Sequence, residues 1–319
     1  MKVLVADNLS QAGVEILKKE SGIEVDVKTG MAKEELIETI PSYEGLIVRS
    51  ATKVTADVIE AARNLKVIGR AGIGVDNIDV AVAGKKGIIV MNAPEGNVIT
   101  TAEHTMALML SMSRNIPQAR SSLKDQKTWA PKKFMGKELH GKTLGIVGLG
   151  RIGTVVAERA KGFHMKILVF DPFISQKYAE KIGVEIVELH DLLKRSDYLT
   201  LHTPSLGDKP LLGATEFDMV KPGLRIVNCA RGTLIDDQAL IEAIRSGKVA
   251  QAALDVYTKE PLPLESPLLE LDEIICTPHL GASTEEAQDK VAVAICDQII
   301  NFLKHGNVVN AVNMPSIDA

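Results

Sequence analysis

Short β-branched runs alternate with amphipathic stretches along almost the whole chain, and few folds accommodate that pattern. In the first hundred residues the runs fall at 3–5, 25–27, 46–48, 67–68 and 88–90, with helical stretches at 12–20, 33–40 and 56–62 between them. From Thr143 the alternation resumes, with runs at 144–147, 167–170, 198–201, 225–229, 252–256 and 274–276. Strand alternating with helix predicts βαβ units and parallel sheets. Composition agrees. Aromatic residues make up only 3% of the 319, so the core must be built from Val, Ile, Leu and Ala, as buried parallel sheets are. The length suits about two domains.

The expected fold class is therefore α/β with two domains. The six runs of the second half match the number a complete dinucleotide-binding sheet requires. A capping box from Thr100 to Glu103 predicts a helix through Met112, which Pro117 ends or kinks. Residues 115–141, rich in Lys and carrying Trp129, read as an irregular lid, linker or arm. A second capping box, Ser283 to Glu286, opens a last helix that runs to about Lys304 and stops at Gly306. Because it follows the sixth run, that helix is expected to return to the first domain.

Net charge is −4 with a pI near 6.0, so no global field draws the chain to nucleic acid or an anionic membrane. A small anionic substrate would have to be held by a few local cations. No apolar run approaches the ~18 residues of a membrane span. Cys229, Cys276 and Cys296 read as reduced core residues of a cytoplasmic protein, and no metal-ligand spacing stands out.

The run ending at Val147 leads directly into Gly148-Leu149-Gly150-Arg151-Ile152-Gly153, and a helical stretch follows. The first Gly makes the tight turn, the second lets backbone approach a pyrophosphate, and the third lets helix and strand pack closely. The next run ends at Asp171, where an acid accepts hydrogen bonds from a ribose diol and repels a 2′-phosphate, favouring NAD over NADP. Arg151 reaches toward phosphate and weighs the other way. Asp171 also suits a plain turn residue before Pro172.

Three segments downstream end in unusual residues: Ala230-Arg231-Gly232, the stretch from Asp255 to Pro261 that carries Glu260, and Thr277-Pro278-His279-Leu280-Gly281. Ligands of open α/β sheets bind beyond the carboxyl ends of strands, which brings Arg231, Glu260 and His279 toward the cofactor. Oxidising a carbinol needs a base of near-neutral pKa, a carboxylate to orient it and an arginine to clamp the substrate. Taken singly, His279 suits a surface histidine, Arg231 a helix-flanking ion pair and Glu260 a solvated loop acid.

Six segments (46–59, 69–79, 132–153, 228–236, 253–261 and 277–284) together closely resemble the D-isomer-specific 2-hydroxyacid dehydrogenases, over nearly the whole chain. The resemblance implies a central NAD-binding Rossmann domain, residues 99–281, and a flavodoxin-like substrate domain from residues 1–98 and 282–319. It implies His279 as acid/base, Glu260 as its partner and Arg231 as substrate clamp. Cofactor-contacting positions are Gly148, Gly150, Arg151, Ile152, Gly153, Asp171, Thr203, Cys229, Ala230, Asp255 and Gly281. Substrate-side positions are Arg49, Ser50, Arg70, Gly72 and Asn97.

Arg49 and Arg70 face the cleft in that family and resemble phosphate binders, though a salt-bridged strand-end arginine is the plainer alternative. The expected reaction is oxidation of D-3-phosphoglycerate to 3-phosphohydroxypyruvate, by a homodimer or homotetramer. A glyoxylate or hydroxypyruvate reductase is the enzymatic alternative, and an NAD-sensing, co-repressor-like protein the non-enzymatic one. Two departures stand out: Ile73 where related segments often carry Thr, and Pro131 where a cation often precedes Lys132–Lys133. The chain also stops soon after Met314-Pro315, so the expectation is a short form or a trimmed chain without the regulatory domain of longer members.

Overall fold

In the computed structural model, which describes residues 1–314 except Leu206 and Asp208, two parallel sheets belong to two separate units. One unit comprises Met1–Asn97 with Ala282–Ala319, the other Val98–Gly281. The first holds β1 (Lys2–Val5), α1 (Gln11–Lys19), β2 (Glu24–Val27), α2 (Lys33–Thr39), β3 (Gly45–Val48), α3 (Ala56–Ala61), β4 (Val67–Arg70), α4 (Val80–Lys85) and β5 (Ile89–Asn92). Its strand order is β2-β1-β3-β4-β5, the flavodoxin-like order, with the topological switch between β1 and β3. The central strands are apolar without interruption because both faces are covered. Leu4, Leu46, Val48, Ile68 and Val90 pack toward α2 and α3, while Val3, Val5, Ile47, Val67 and Met91 pack on the opposite face.

The second unit opens with α5 (Val98–Ser113) and α6 (Ile116–Lys124). It continues through β6 (Thr143–Val147), α7 (Arg151–Gly162), β7 (Lys166–Phe170), α8 (Gln176–Ile182), β8 (Glu185–Ile186), α9 (Leu189–Arg195) and β9 (Tyr198–Leu201). It ends with α10 (Ala214–Met219), β10 (Leu224–Asn228), α11 (Asp237–Arg245), β11 (Val249–Leu254) and β12 (Ile274–Cys276). The order β12-β11-β10-β9-β6-β7-β8 is that of a dinucleotide-binding sheet, with its switch between β6 and β9. Among the described residues no helix is long and apolar enough to cross a membrane.

Several local expectations are corrected. The second sheet has seven strands, because Glu185–Ile186 pairs with β7 as a two-residue edge too short to show a period. The box at Thr100 is not a cap: the helix already starts at Val98. Residues 115–141 are not wholly irregular, since Pro117 opens α6 after Asn115 turns the chain in the left-handed region.

The last helix, α12 (Glu285–His305), is capped one residue later than expected, by the Thr284 side chain accepting from Ala287 N–H, and ends on Gly306. It belongs to the first unit, where it packs on β3, β4 and β5 beside α1. The contact depends on missing side chains. A Cβ on Gly69 of β4 would lie 2.7 Å from Ile295 Cγ1, and one on Gly13 of α1 would lie 2.8 Å from Ala292 Cβ. We therefore expect Gly69→Val to overpack this layer and cost about 1–3 kcal/mol in urea denaturation. An unchanged midpoint would mean that α12 is not seated on β4 in solution.

Candidate active site

At the switch point of the second sheet, each glycine of the fingerprint has its own steric reason. Gly148 follows β6 at φ +89°, and a Cβ there would sit 2.7 Å from the carbonyl oxygen of His202, just beyond β9. A Cβ on Gly153, inside α7, would sit 2.1 Å from the Gly148 carbonyl oxygen. Gly150 is the N-cap of α7 and meets nothing within 4 Å. The third position thus packs helix on strand, while the second leaves open space at the N-terminus of α7, which suits a pyrophosphate. Arg151 is exposed at the start of α7, Ile152 packs into the core beneath, and Thr203 lies half-buried after β9. Asp171, after β7, accepts hydrogen bonds from Leu149 N–H at 2.8 Å and Phe173 N–H at 2.9 Å. It is therefore a turn residue as well, and each oxygen keeps a lone pair for a ribose hydroxyl. The residues present fit a dinucleotide.

Beyond β10, β11 and β12 the structure brings the three chemistry-bearing side chains together. His279 Nδ1 lies 2.7 Å from Glu260 Oε2, and Glu260 Oε1 accepts from Tyr257 N–H at 3.0 Å. With Nδ1–H given to the carboxylate, Nε2 is left as an acceptor. His279 sits at φ +54°, a conformation a non-glycine residue adopts only when its surroundings impose it. The hydrogen bond from His279 to Glu260 raises the imidazole above its ordinary 6.5, against burial and the nearby Arg231 guanidinium. Burial alone would lift the Glu260 carboxyl, but His279 and the Tyr257 N–H hold it below its ordinary value. Arg231 is half-buried and donates to the Ala230 carbonyl at 2.7 Å. Its loop is shaped by buried Asn228, which accepts from Ala230 N–H and donates to the Arg231 carbonyl. Gly232 lets that loop touch the next: a Cβ would overlap Tyr257 C at 1.9 Å and Thr258 N at 2.3 Å.

Asp255 lies between these loops with no exposed surface. Its carboxylate accepts from Leu280 N–H (2.8 Å), Gly281 N–H (2.7 Å) and the Thr277 hydroxyl (2.6 Å), and His104 Nε2 of α5 lies 3.2 Å away. Burial would raise this carboxyl, but these donors outweigh it and leave it below its ordinary value. Gly281 is also fastened by its carbonyl to the Thr101 hydroxyl at 3.0 Å. Cys229 is buried nearby, its thiol pushed up to about 12 by burial.

The substrate-side residues all lie in the first unit. Arg49 and Ser50 follow β3 on a loop organised by two residues the sequence reading missed. Buried Asp7 accepts from Arg49 N–H (2.6 Å) and Thr52 N–H and hydroxyl, and Asn77 donates to the Arg49 and Thr52 carbonyls. The Arg49 guanidinium donates to the Asn8 carbonyl at 3.0 Å, with no carboxylate partner for it among the ion pairs of the described residues. Arg70 ends β4, and Gly72 makes room for it: a Cβ there would lie 1.5 Å from Arg70 Nη1. Ile73 offers its carbonyl to Asn92. Asn97 is buried, and its carboxamide oxygen has no hydrogen-bond partner. Pro131 opens an exposed 3-10 turn that also holds Lys132 and Lys133.

The His279–Glu260 pair has a sign that can be measured. In Glu260→Gln the main raising interaction is gone while burial and Arg231 remain. The His279 ring should then titrate at lower pH than in the unaltered chain, followed by NMR of its ring protons. An identical titration would mean that the pair does not form in solution.

Comparison with known proteins adds to this geometry. The pattern of "D-isomer specific 2-hydroxyacid dehydrogenase, NAD binding domain" matches residues 106–281. A curated protein of Archaeoglobus fulgidus named D-3-phosphoglycerate dehydrogenase is 53% identical over 319 residues, all of this chain but 60% of its own length. The chain therefore spans about 60% of the curated relative it matches. The TT0316 protein from Thermus thermophilus superposes with a TM-score of 0.89 at 33% identity, covering 98% of this chain and 100% of that one. A glyoxylate reductase from Paecilomyes thermophila also reaches 0.89, at 29% identity, with 98% of each chain covered. By domain pattern, full-length likeness and the arrangement of its glycine loop, the chain belongs to the D-isomer specific 2-hydroxyacid dehydrogenase family, whose NAD-binding domain it carries.

Proposed function

We propose that the chain oxidises D-3-phosphoglycerate to 3-phosphohydroxypyruvate with NAD, the entry step to serine. The observation that carries this reading is the 2.7 Å His279–Glu260 contact, set beside Arg231 in the unit that holds the glycine loop. The 53% identity to a relative of that name supports the choice of substrate. NAD, when bound, supplies the acceptor for the hydride leaving C2. His279 Nε2 takes the C2 hydroxyl proton, and Glu260 stabilises the imidazolium that results. Arg231 holds the substrate carboxylate through paired hydrogen bonds. Arg49 and Arg70 hold the phosphate, and the buried Asn97 oxygen, lacking a partner, accepts from ligand. Oxidation needs His279 neutral, so its rate rises with pH through the raised imidazole pKa, while reduction falls over the same range.

A substrate panel tests this. D-3-phosphoglycerate should yield NADH, and NADP should serve poorly because the Asp171 carboxylate would repel a 2′-phosphate. Arg49→Ala should raise KM for phosphorylated substrates by about tenfold or more, as loss of a charge-assisted contact does, and leave hydroxypyruvate reduction nearly unchanged. Efficient reduction of glyoxylate or hydroxypyruvate with no turnover of phosphoglycerate would assign the chain to the reductase branch instead. A chain that binds NAD and turns over none of them fits the co-repressor-like alternative.

We also assign a second copy of the chain as partner. The segment from α6 to the following turn exposes Ile116, Leu123, Trp129 and Met135, the last two more than 80% exposed. Sedimentation should give a dimer or a multiple of it, weakened in Trp129→Glu. A monomeric unaltered chain would remove the assignment. The three free cysteines suit the reducing cytoplasm.

A further inference from the structure

His104 is a histidine that the proposed reaction does not use, yet it grips the carboxylate that shapes the loop of the reacting base. It lies on α5, one helical turn after Thr101 and half-buried, with Nε2 at 3.2 Å from Asp255 Oδ1 and 3.4 Å from Thr277 Oγ1. Thr101, on the same helix, donates to the Gly281 carbonyl. Helix α5 therefore grips the loop 277–281 twice, directly through Thr101 and indirectly through His104 and Asp255. That loop presents His279 at its left-handed φ.

A metal site is the competing explanation, because His104, Cys229 and Asp255 bring ligand atoms within 4.8 Å of one another. The donor count argues against it. Both Asp255 oxygens already accept hydrogen bonds, Oδ2 from Gly281 N–H and Oδ1 from Leu280 N–H and Thr277. A cation would have to displace the very bonds that shape the loop.

We propose that His104 is a positioning residue, which donates its Nε2 proton to Asp255 and thereby keeps the loop 277–281 in the shape that presents His279. The role rests on the reading of His279 as acid/base. The mechanism is electrostatic and geometric. A carboxylate with no exposed surface stays ionised only while its donors outweigh desolvation. Three of those donors belong to the loop itself, so they move if the loop moves. His104 is the one side-chain donor anchored on a helix. Without it, Asp255 protonates at higher pH, and a neutral carboxyl grips Leu280 and Gly281 N–H groups less strongly. The other titratable groups facing Asp255 are Cys229, Tyr257, Glu260 and His279.

The test compares His104→Leu with His104→Gln, whose amide restores an N–H near the Nε2 position; His104→Ala serves if leucine is not tolerated. In the reduction direction, where protonated His279 is the active form, His104→Leu should lower kcat on the order of tenfold, as small misplacement of a reacting group does, with KM for NADH little changed. Its acid limb should move to higher pH, because removing a donor raises the Asp255 carboxyl. His104→Gln should restore both. Independently of any substrate, the Leu280 and Gly281 amide resonances report Asp255 ionisation, and their titration should move up in His104→Leu and return in His104→Gln. If those amides titrate as in the unaltered chain and kcat is unaffected, the proposal is overturned. If they shift while no 2-hydroxy acid is turned over, the positioning role stands and the proposed reaction falls.

Discussion

A carboxylate removed from water must be compensated by hydrogen bonds, and in the second unit most of those of Asp255 come from the loop that carries His279. Two consecutive backbone N–H groups, those of Leu280 and Gly281, point at its two oxygens, and the Thr277 hydroxyl adds a third bond. Consecutive N–H groups can converge on one anion where the chain passes through the left-handed region. His279 at φ +54° makes that turn. The conformation that presents the imidazole is thus the conformation that satisfies the buried acid. Its strain is offset by the bonds it makes possible.

The first unit solves the corresponding problem in the same way. Asp7 lies just beyond β1, beside the switch between β1 and β3, and is buried. It collects the N–H groups of Arg49 and Thr52 and the Thr52 hydroxyl, so the loop after β3 folds around a carboxylate. Asn77 braces the same loop from its carbonyl side. In both units a buried acid at the carboxyl edge of a parallel sheet shapes a loop that carries a candidate site residue, Arg49 or His279. Backbone atoms carry the anchoring of both loops, and of the His279 ring only Nδ1 is engaged, by Glu260.

This division explains what could be read beforehand. The strand runs and the glycine fingerprint were legible because burial on both faces and close backbone approach each demand a residue type at a fixed spacing. His279, Glu260 and Arg231 were legible because they follow strands of one sheet, so topology alone gathers them. Asp7, Asn77, His104 and Asn228 were not. Each acts through partners between two and more than a hundred residues away, or through a backbone group whose identity no sequence records. The capping boxes failed for a related reason. Thr100 has the right neighbour three residues on, but α5 already begins before it, held by tertiary packing, and Thr284 outcompetes Ser283 by one position. The strand β8 is too short for any period, and exists only because β7 offers an edge.

Asp171 shows how a turn can settle a ligand preference. Its two oxygens accept from Leu149 N–H, inside the glycine loop, and from Phe173 N–H, in the turn that follows β7. Rotating the side chain away would forfeit both bonds, each worth about 1.5–3 kcal/mol for a charged acceptor. The carboxylate is therefore a fixed charge beside the loop, and a 2′-phosphate would have to approach it closely. A ribose diol would find the same oxygens as acceptors. Arg151 at the start of α7 offers a cation, but on an exposed side chain that can turn to the pyrophosphate instead. The turn itself needs an acid at Asp171, so on the proposed reading one arrangement would serve both the turn and the preference for NAD.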